Sequence, residues 1–259
     1  MLVQRTLTNS INAVGVGLHS GRRISIKLLP AEEDTGIIFR RVDLNPSVEI
    51  KAIVNNVGAT TLATTLMEGE VQISTIEHML SAFAGLGIDN AIIEIDDVEV
   101  PIMDGSSSSF VFLIQSAGIK EQTKPKKFIK IKKEISVETD NGAFVKLSPY
   151  DGFKVTYSLV YDDKKHKQYS SKKSIDFNST TYLKEISRAR TFGFMEELNV
   201  LKEKNLALGA SEKNAIAIGE DGILNDEGLR SKDEFVQHKI LDVVGDLYLL
   251  QYNIIGEFE

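Results

Sequence analysis

The sequence predicts an α+β fold made of two related halves, and three observations predict it. Apolar and polar positions alternate with strand periodicity between turn signals through residues 1–60, as in GVGLHSGRRISIKLLPAEEDTGIIFRR. The same order of strand-like and then helix-like patterns restarts after the polar stretch EQTKPKK, Glu121 to Lys127. Each half holds one long helical pattern that runs into an apolar strand, AIIEID in the first and NIIGEFE in the second. The division expected from this is 1–125 and 126–259, with the polar stretch as linker.

Composition narrows the function classes. The chain has 259 residues, 42% hydrophobic and 26% charged, enough apolar sequence for a substantial core. A net charge of -7 provides no general basic field, so nucleic acid is not an expected partner and an anionic ligand must be held by local groups. There is no cysteine, which excludes disulfides, thiolate nucleophiles and zinc sites built on sulfur. Any metal must therefore use His, Asp or Glu, and the histidines are His19, His78, His166 and His238. MLVQRTLTNS lacks the apolar run of a signal peptide, and no stretch approaches the ~18 apolar residues of a membrane span. A cytoplasmic protein without integral membrane association is expected, with a monomer favoured.

In chain order, Gly15 to Gly17 (GVG) has no third glycine and no following helix, so it reads as a hairpin feature rather than a dinucleotide fingerprint. A helix begins near Ser74, an expected N-cap with Glu77 three residues on, and ends near the glycines of GLGID. PIMDGSSSSFVFLIQSAG reads as a turn at Asp104-Gly105 and a second helix capped by a serine. Strands follow in FIKIKKEISVE, FVKLSP and FKVTYSLVY, then the loop DDKKHKQYSSKK, whose lysines and His166 read as solvated surface. Helical segments run from about Thr180 onward.

Rotation of the two long helices at 100° per residue exposes a shared design. Ile76, Leu80 and Phe83 share one face of the first, with Thr75, His78, Ala82 and Gly85 opposite. Val236, Ile240, Val243 and Leu247 share one face of the second, with Phe235, His238, Asp242, Gly245 and Leu249 opposite. Each reverse face carries a histidine, then Ala or Asp four residues on, then Gly at seven. Such small residues allow close helix approach, so His78 is expected to meet His238 where the halves join. The first half adds a further helix after its final strand and the second stops at Glu259, so the repeat leads us to expect one more strand-to-helix unit.

His238 and Asp242, four residues apart, project from one side of a helix and suit two ligands of one ion. With His78 they make three protein ligands, which leaves a fourth tetrahedral place for water, the arrangement of a catalytic zinc. Glu77, beside His78, is in reach of that water as general base. The competing reading is structural: His238 and Asp242 hydrogen-bond each other in the interior and His78 fills space. Spacing alone leaves both open.

The blocks VQISTIEHMLSAFAGLGIDN, PIMDGSSSSFVF, ISRARTFGFM and DEFVQHKILDVVGDL closely resemble the UDP-3-O-acyl-N-acetylglucosamine deacetylases, and the similarity runs from Gln4 to the last residue. The resemblance implies two α+β domains, each a helix layer on a mainly antiparallel sheet, with the helix layers facing each other across the active site. It implies zinc-dependent release of acetate from an acylated UDP-sugar, the committed step of lipid A synthesis. Residue by residue, it implies zinc ligands His78, His238 and Asp242, with Glu77 as base. Thr191 matches a threonine that helps hold the oxyanion, Lys239 a lysine that contacts substrate, and Asp246 an aspartate that holds a catalytic histidine. Tyr161 and Phe194 fall where aromatic side chains meet the uracil ring, Phe192 at the mouth of the acyl passage, and Ala63 among the substrate-contacting positions. The segment Leu198 to Ala217 matches part of the acyl tunnel, with Ala210 in place of the usual glycine. The family continues past this point into a motif with the histidine that Asp246 would hold, and no residue here fills that role. A zinc and nucleotide-sugar binding protein without turnover is the alternative expectation.

Overall fold

The computed structural model describes residues 2–259. Its first main sheet has five strands, in spatial order Ile11–Val16, Arg23–Pro30, Ala91–Ile95, Ile37–Arg41 and Val48–Lys51. Alternation works here as period-2 burial: Ile24, Ile26 and Leu28 are buried while Arg23 and Ser25 face solvent. The second main sheet runs Ile135–Glu138, Phe144–Ser148, Asn253–Phe258, Phe153–Leu159 and Ser171–Asp176, with Phe128–Lys130 also paired to Asn253–Phe258. In both sheets the strand that follows the long helix is central, antiparallel to one neighbour and parallel to the other. The repeat read from the sequence is thus a repeat of topology.

Helices are few: α1 (Glu77–Leu86), α2 (Ser108–Ala117), the single turn α3 (Ser179–Thr181), which continues as a π turn to Ile186, α4 (Met195–Glu203) and α5 (Glu234–Leu247). Every residue of α1 is buried, because one face lies on the first sheet's core and the other against α5. Burial of each large apolar side chain such as Leu80 or Phe83 contributes roughly 1.5–3 kcal/mol. Gly245 of α5 rests directly on the Glu77 carbonyl, a contact no other residue permits, while Gly85 of α1 lies against the Tyr182 ring. The Tyr182 hydroxyl bonds Ser81 Oγ, and Tyr248 donates to the Ile88 carbonyl just beyond α1. Gly87 stops α1 in the left-handed region at φ 68°, as the GLGID signal leads one to expect.

Several local expectations are corrected. Ser74 does not cap α1: its N–H donates to Val98, its carbonyl accepts from Val100, and its hydroxyl donates to Val98, so extended pairing holds it outside the helix. Ile76 occupies the cap position without a side-chain bond, and Glu77 is the first helical residue. No serine side chain caps α2 from its N-cap position either: Ser107 Oγ donates to the His78 carbonyl, and Ser106, Ser108 and Ser109 donate to Asp104. The polar stretch read as a linker lies largely in a strand, Ile119–Pro125, antiparallel to Val3–Leu7. That strand is exposed on both faces, which is why its polarity looks like a loop.

After α3 the chain also forms a small sheet that helical periodicity did not suggest. Phe192–Phe194 pairs in parallel with Ile216–Gly219, which pairs antiparallel with Gly222–Ile223. In the second main sheet, Ile135, Val137 and Val145 share the core-side face with Leu147 yet remain exposed, whereas α2 packs on the matching strand of the first sheet.

Candidate metal centre and active site

The α1–α5 contact sets two histidines edge to face, with ring centroids of His78 and His238 4.8 Å apart. Asp242, one turn beyond His238, places Oδ1 3.4 Å from Nε2 of each histidine. Candidate ligand atoms of the three residues all lie within 4.8 Å of one another. Four ligands about 2.0–2.1 Å from one zinc stand roughly 3.3 Å apart, so both 3.4 Å separations fit two edges of such a tetrahedron. They are long for a direct hydrogen bond, and Asp242 Oδ1 is buried with no hydrogen-bond partner. The donor set of two imidazoles and a carboxylate suits zinc. His238 Nδ1 meets the Ala189 carbonyl at 3.0 Å, which turns Nε2 toward Asp242.

The electrostatics suit ligand roles at His238 and Asp242, and favour on His78 a proton that metal binding must displace. Burial pushes His238 down to about 3 against the pull of Asp242, so its imidazole is neutral near pH 7. Burial also works to raise Asp242, but His238, Lys239 and His78 outweigh it and hold the carboxyl well below the usual range. His78 is raised: burial opposes this, and the Asp242 and Glu77 carboxylates prevail.

Around these three lie the remaining acid-base groups. Glu77 is buried and pushed up to about 7, chiefly by desolvation, with His78 pulling the other way. Its Oε2 accepts the Thr64 N–H at 3.1 Å, and the Thr64 hydroxyl donates to Asp246 at 2.7 Å. Thr64 thus ties together two carboxylates that come from different halves of the chain. Desolvation first and the Asp242 charge second push Asp246 up to about 6, although Thr64 stabilises its ionised form. Lys239 Nζ bonds Asp242 Oδ2 at 3.0 Å and stands 5.4 Å over the Phe192 ring, whose centroid is 6.2 Å from that of His238.

A second cluster holds Tyr161 and Phe194, 5.7 Å apart in edge-to-face packing, with Tyr169 beside them. His166 corrects the solvated-surface expectation: its ring lies 3.9 Å from that of Phe194, and Asp163 and Glu196 face its nitrogens. The charged neighbours in DDKKHKQYSSKK hid an aromatic-facing histidine. Thr191 leads into Phe192–Phe194, its N–H bonded to Gly105 and its carbonyl to Ile216. Ala63, partly exposed, directly precedes Thr64. Ala210 closes a turn, its N–H bonded to the Ala207 carbonyl, that Leu208 and Gly209 zip onto His19 and Leu18.

Sequence reasoning missed Thr64 and the buried Arg190–Glu234 pair. Only the proximity of Arg190 to Thr191 inside ISRARTFGFM, and of Glu234 to His238 inside DEFVQHKILDVVGDL, hinted at the latter.

Comparison with known proteins bears on this geometry. Residues 4–259 match the family model LpxC, described as UDP-3-O-acyl N-acetylglycosamine deacetylase. A UDP-3-O-acyl-N-acetylglucosamine deacetylase of Pseudomonas entomophila (strain L48) is 57% identical over 259 residues, which is 100% of this chain and 85% of that protein. One of the same name from Cellvibrio japonicus (strain Ueda107) is 54% identical over 258 residues, again 100% of this chain and 85% of the relative. With the match extending across both sheets and both histidine-bearing helices, the chain belongs to the UDP-3-O-acyl-N-acetylglucosamine deacetylase family.

Proposed function

We propose that this protein hydrolyses the N-acetyl group of an acylated UDP-N-acetylglucosamine, in lipid A biosynthesis, at a zinc held by His78, His238 and Asp242. The convergence of those side chains beside the buried Glu77 carries the reading. Family membership supplies the reaction class, an amide hydrolysis that releases acetate. Zinc, when bound, acidifies water and polarises the acetamide carbonyl.

The chain's own residues do the rest. Glu77, buried and adjacent to His78, accepts the proton of the attacking water; a carboxyl raised by burial is a stronger base than an exposed one. Thr64 aims that carboxylate through its N–H. The Thr191 hydroxyl stabilises the developing oxyanion, and the Lys239 ammonium contacts the substrate while it neutralises Asp242. The proton that Glu77 takes up is returned to the leaving amine, and Asp246, raised to about 6, braces Thr64 through its hydroxyl. Tyr161 and Phe194 offer faces to the uracil ring, while Phe192, Ala63 and the Leu198 to Ala217 segment with Ala210 line the sugar and acyl path. In this reading residues 1–125 supply Glu77 and His78, residues 126–259 supply the other named catalytic and metal-binding residues, and the protein acts in the cytoplasm. No helix among the described residues is long and apolar enough to cross a membrane.

Metal analysis of protein purified without added zinc, beside a His238→Ala variant, tests the site. Zinc in the parent and none in the variant is expected, with acetate release lost in the variant. Equal zinc in both would remove the site.

A further inference from the structure

Glu234 and Arg190 form a buried ion pair, 0% and 4% exposed, one turn of α5 before His238. Glu234 does more than neutralise a guanidinium. Its Oε1 accepts from Arg190 Nε at 2.9 Å and from the Arg190 backbone N–H at 3.0 Å. Its Oε2 accepts from Arg190 Nη2 at 3.2 Å and from the Arg230 N–H at 2.6 Å. Arg190 Nη2 is further bonded to the Gly228 carbonyl at 2.7 Å, so the fork has little freedom.

The Arg190 N–H belongs to the same peptide unit as the Ala189 carbonyl, and the only cis peptide bond among the described residues is Asn45-Pro46. In a trans peptide the N–H and C=O point in opposite directions. That unit therefore spans one turn of α5, with its N–H on Glu234 and its C=O on His238 Nδ1 at 3.0 Å. A negative charge on the N–H side polarises the amide and makes its oxygen a better acceptor. A stronger acceptor at Nδ1 keeps the proton there and leaves Nε2 free as a ligand.

We infer that Glu234 is a positioning residue for the metal site, acting through the Ala189–Arg190 peptide to fix the tautomer and orientation of His238. This rests on the metal site proposed above, and the buried fork supplies the rigidity. A carboxylate two bonds removed from a metal-binding histidine, relayed by main chain, does the work usually given to a direct carboxylate partner.

The test uses the full chain with ¹⁵N-labelled histidine. Long-range nitrogen–proton NMR of the metal-free protein at pH 7.5 reads the His238 tautomer, and release to a chelator reads the zinc off-rate. The parent is expected to show the Nδ1–H form alone. Glu234→Gln should show both tautomers and release zinc about tenfold faster or more. Should that variant fold poorly, the paired change Arg190→Met with Glu234→Leu removes both charges together and keeps the interior neutral. Ile114→Ala, a destabilising change elsewhere in the core, should retain the parent tautomer. An unchanged Nδ1–H tautomer in either folded variant would overturn the inference, as would a shift of equal size in Ile114→Ala. A parent without zinc would overturn the metal reading alone, because the tautomer comparison still decides the role of Glu234.

Discussion

One methyl group at Gly245 would strike directly at the contact between the two long helices. A Cβ built there falls 2.0 Å from the Glu77 carbonyl oxygen, 2.8 Å from its carbon and 3.1 Å from its Cα. A tolerable C···O contact is roughly 3.3 Å, so Gly245→Ala must part the α1 and α5 backbones by about 1.3 Å. The obstacle is backbone, and no rotamer change relieves it. In an exposed helix the same change would stabilise by about 1 kcal/mol through propensity. Overpacking of a closed core costs typically about 1–3 kcal/mol, and this overlap lies at the upper end, so a net loss near 2 kcal/mol is expected. Function should suffer more, because the displaced carbonyl belongs to Glu77, next to His78. A misplacement of about 1 Å can cost on the order of 10²-fold in rate. Denaturant unfolding followed by circular dichroism, zinc titration and acetate release measure the three effects. A variant as stable as the parent or more so, with unchanged zinc affinity, would refute the close-contact reasoning.

Other perturbations separate the parts of the site. The Asp104 carboxyl is lowered: burial opposes this, but Arg230 and the hydroxyls of Ser106 and Ser109 prevail. Its folded value lies below the reference 3.8, so its stabilisation is complete above about pH 4 and is lost as pH falls through the folded value. Asp104→Asn should therefore destabilise at pH 7 and flatten the acid limb of the stability curve; a parallel limb in the variant would contradict the linkage. Thr64→Val removes the donor to Asp246 but keeps the N–H bond to Glu77, so a loss of about 1 kcal/mol is expected with activity reduced, and Thr64→Ser should restore both. Phe194→Ala removes an aromatic partner of Tyr161 and His166 worth about 0.5–1.5 kcal/mol. KM for the UDP-sugar should rise roughly 2- to 10-fold with zinc content unchanged, and a loss of zinc instead would place that ring in the metal site.

The sequence made legible those features that rest on periodicity. The two helical stripes, the His78–His238 meeting and the strands Ala91–Ile95 and Asn253–Phe258 all follow from residues repeated at fixed intervals. What stayed hidden depends on long-range partners. Ser74 carries a capping signature, yet pairing with the segment around Val98–Val100, more than twenty residues away, takes its backbone. The strand Ile119–Pro125 alternates nothing because both its faces meet water, and its pairing with Val3–Leu7 is invisible without the fold. His166 sits among lysines in sequence but beside Phe194 in space. Thr64 gains its place only because α1 and α5 bring Glu77 and Asp246 to opposite sides of it.

The distribution of charge explains why stability and chemistry at this site are linked. Glu77, Asp242 and Asp246 crowd one region, and the Asp242 charge helps raise both of its neighbours. Lys239 is the ammonium that answers them directly, through Asp242. In the proposed function, a divalent ion held by His78, His238 and Asp242 would add positive charge where the carboxylates repel, and so would favour ionised Glu77, the form required of a base. Because one candidate ligand lies on α1 and two on α5, that ion would bridge the interface that Gly245 makes close. Ligand binding to the folded state alone stabilises it by about 2.7 kcal/mol at a hundredfold excess over Kd. Around such a cation, the cluster of buried acids would become a joint between the two halves and the source of a reactive base.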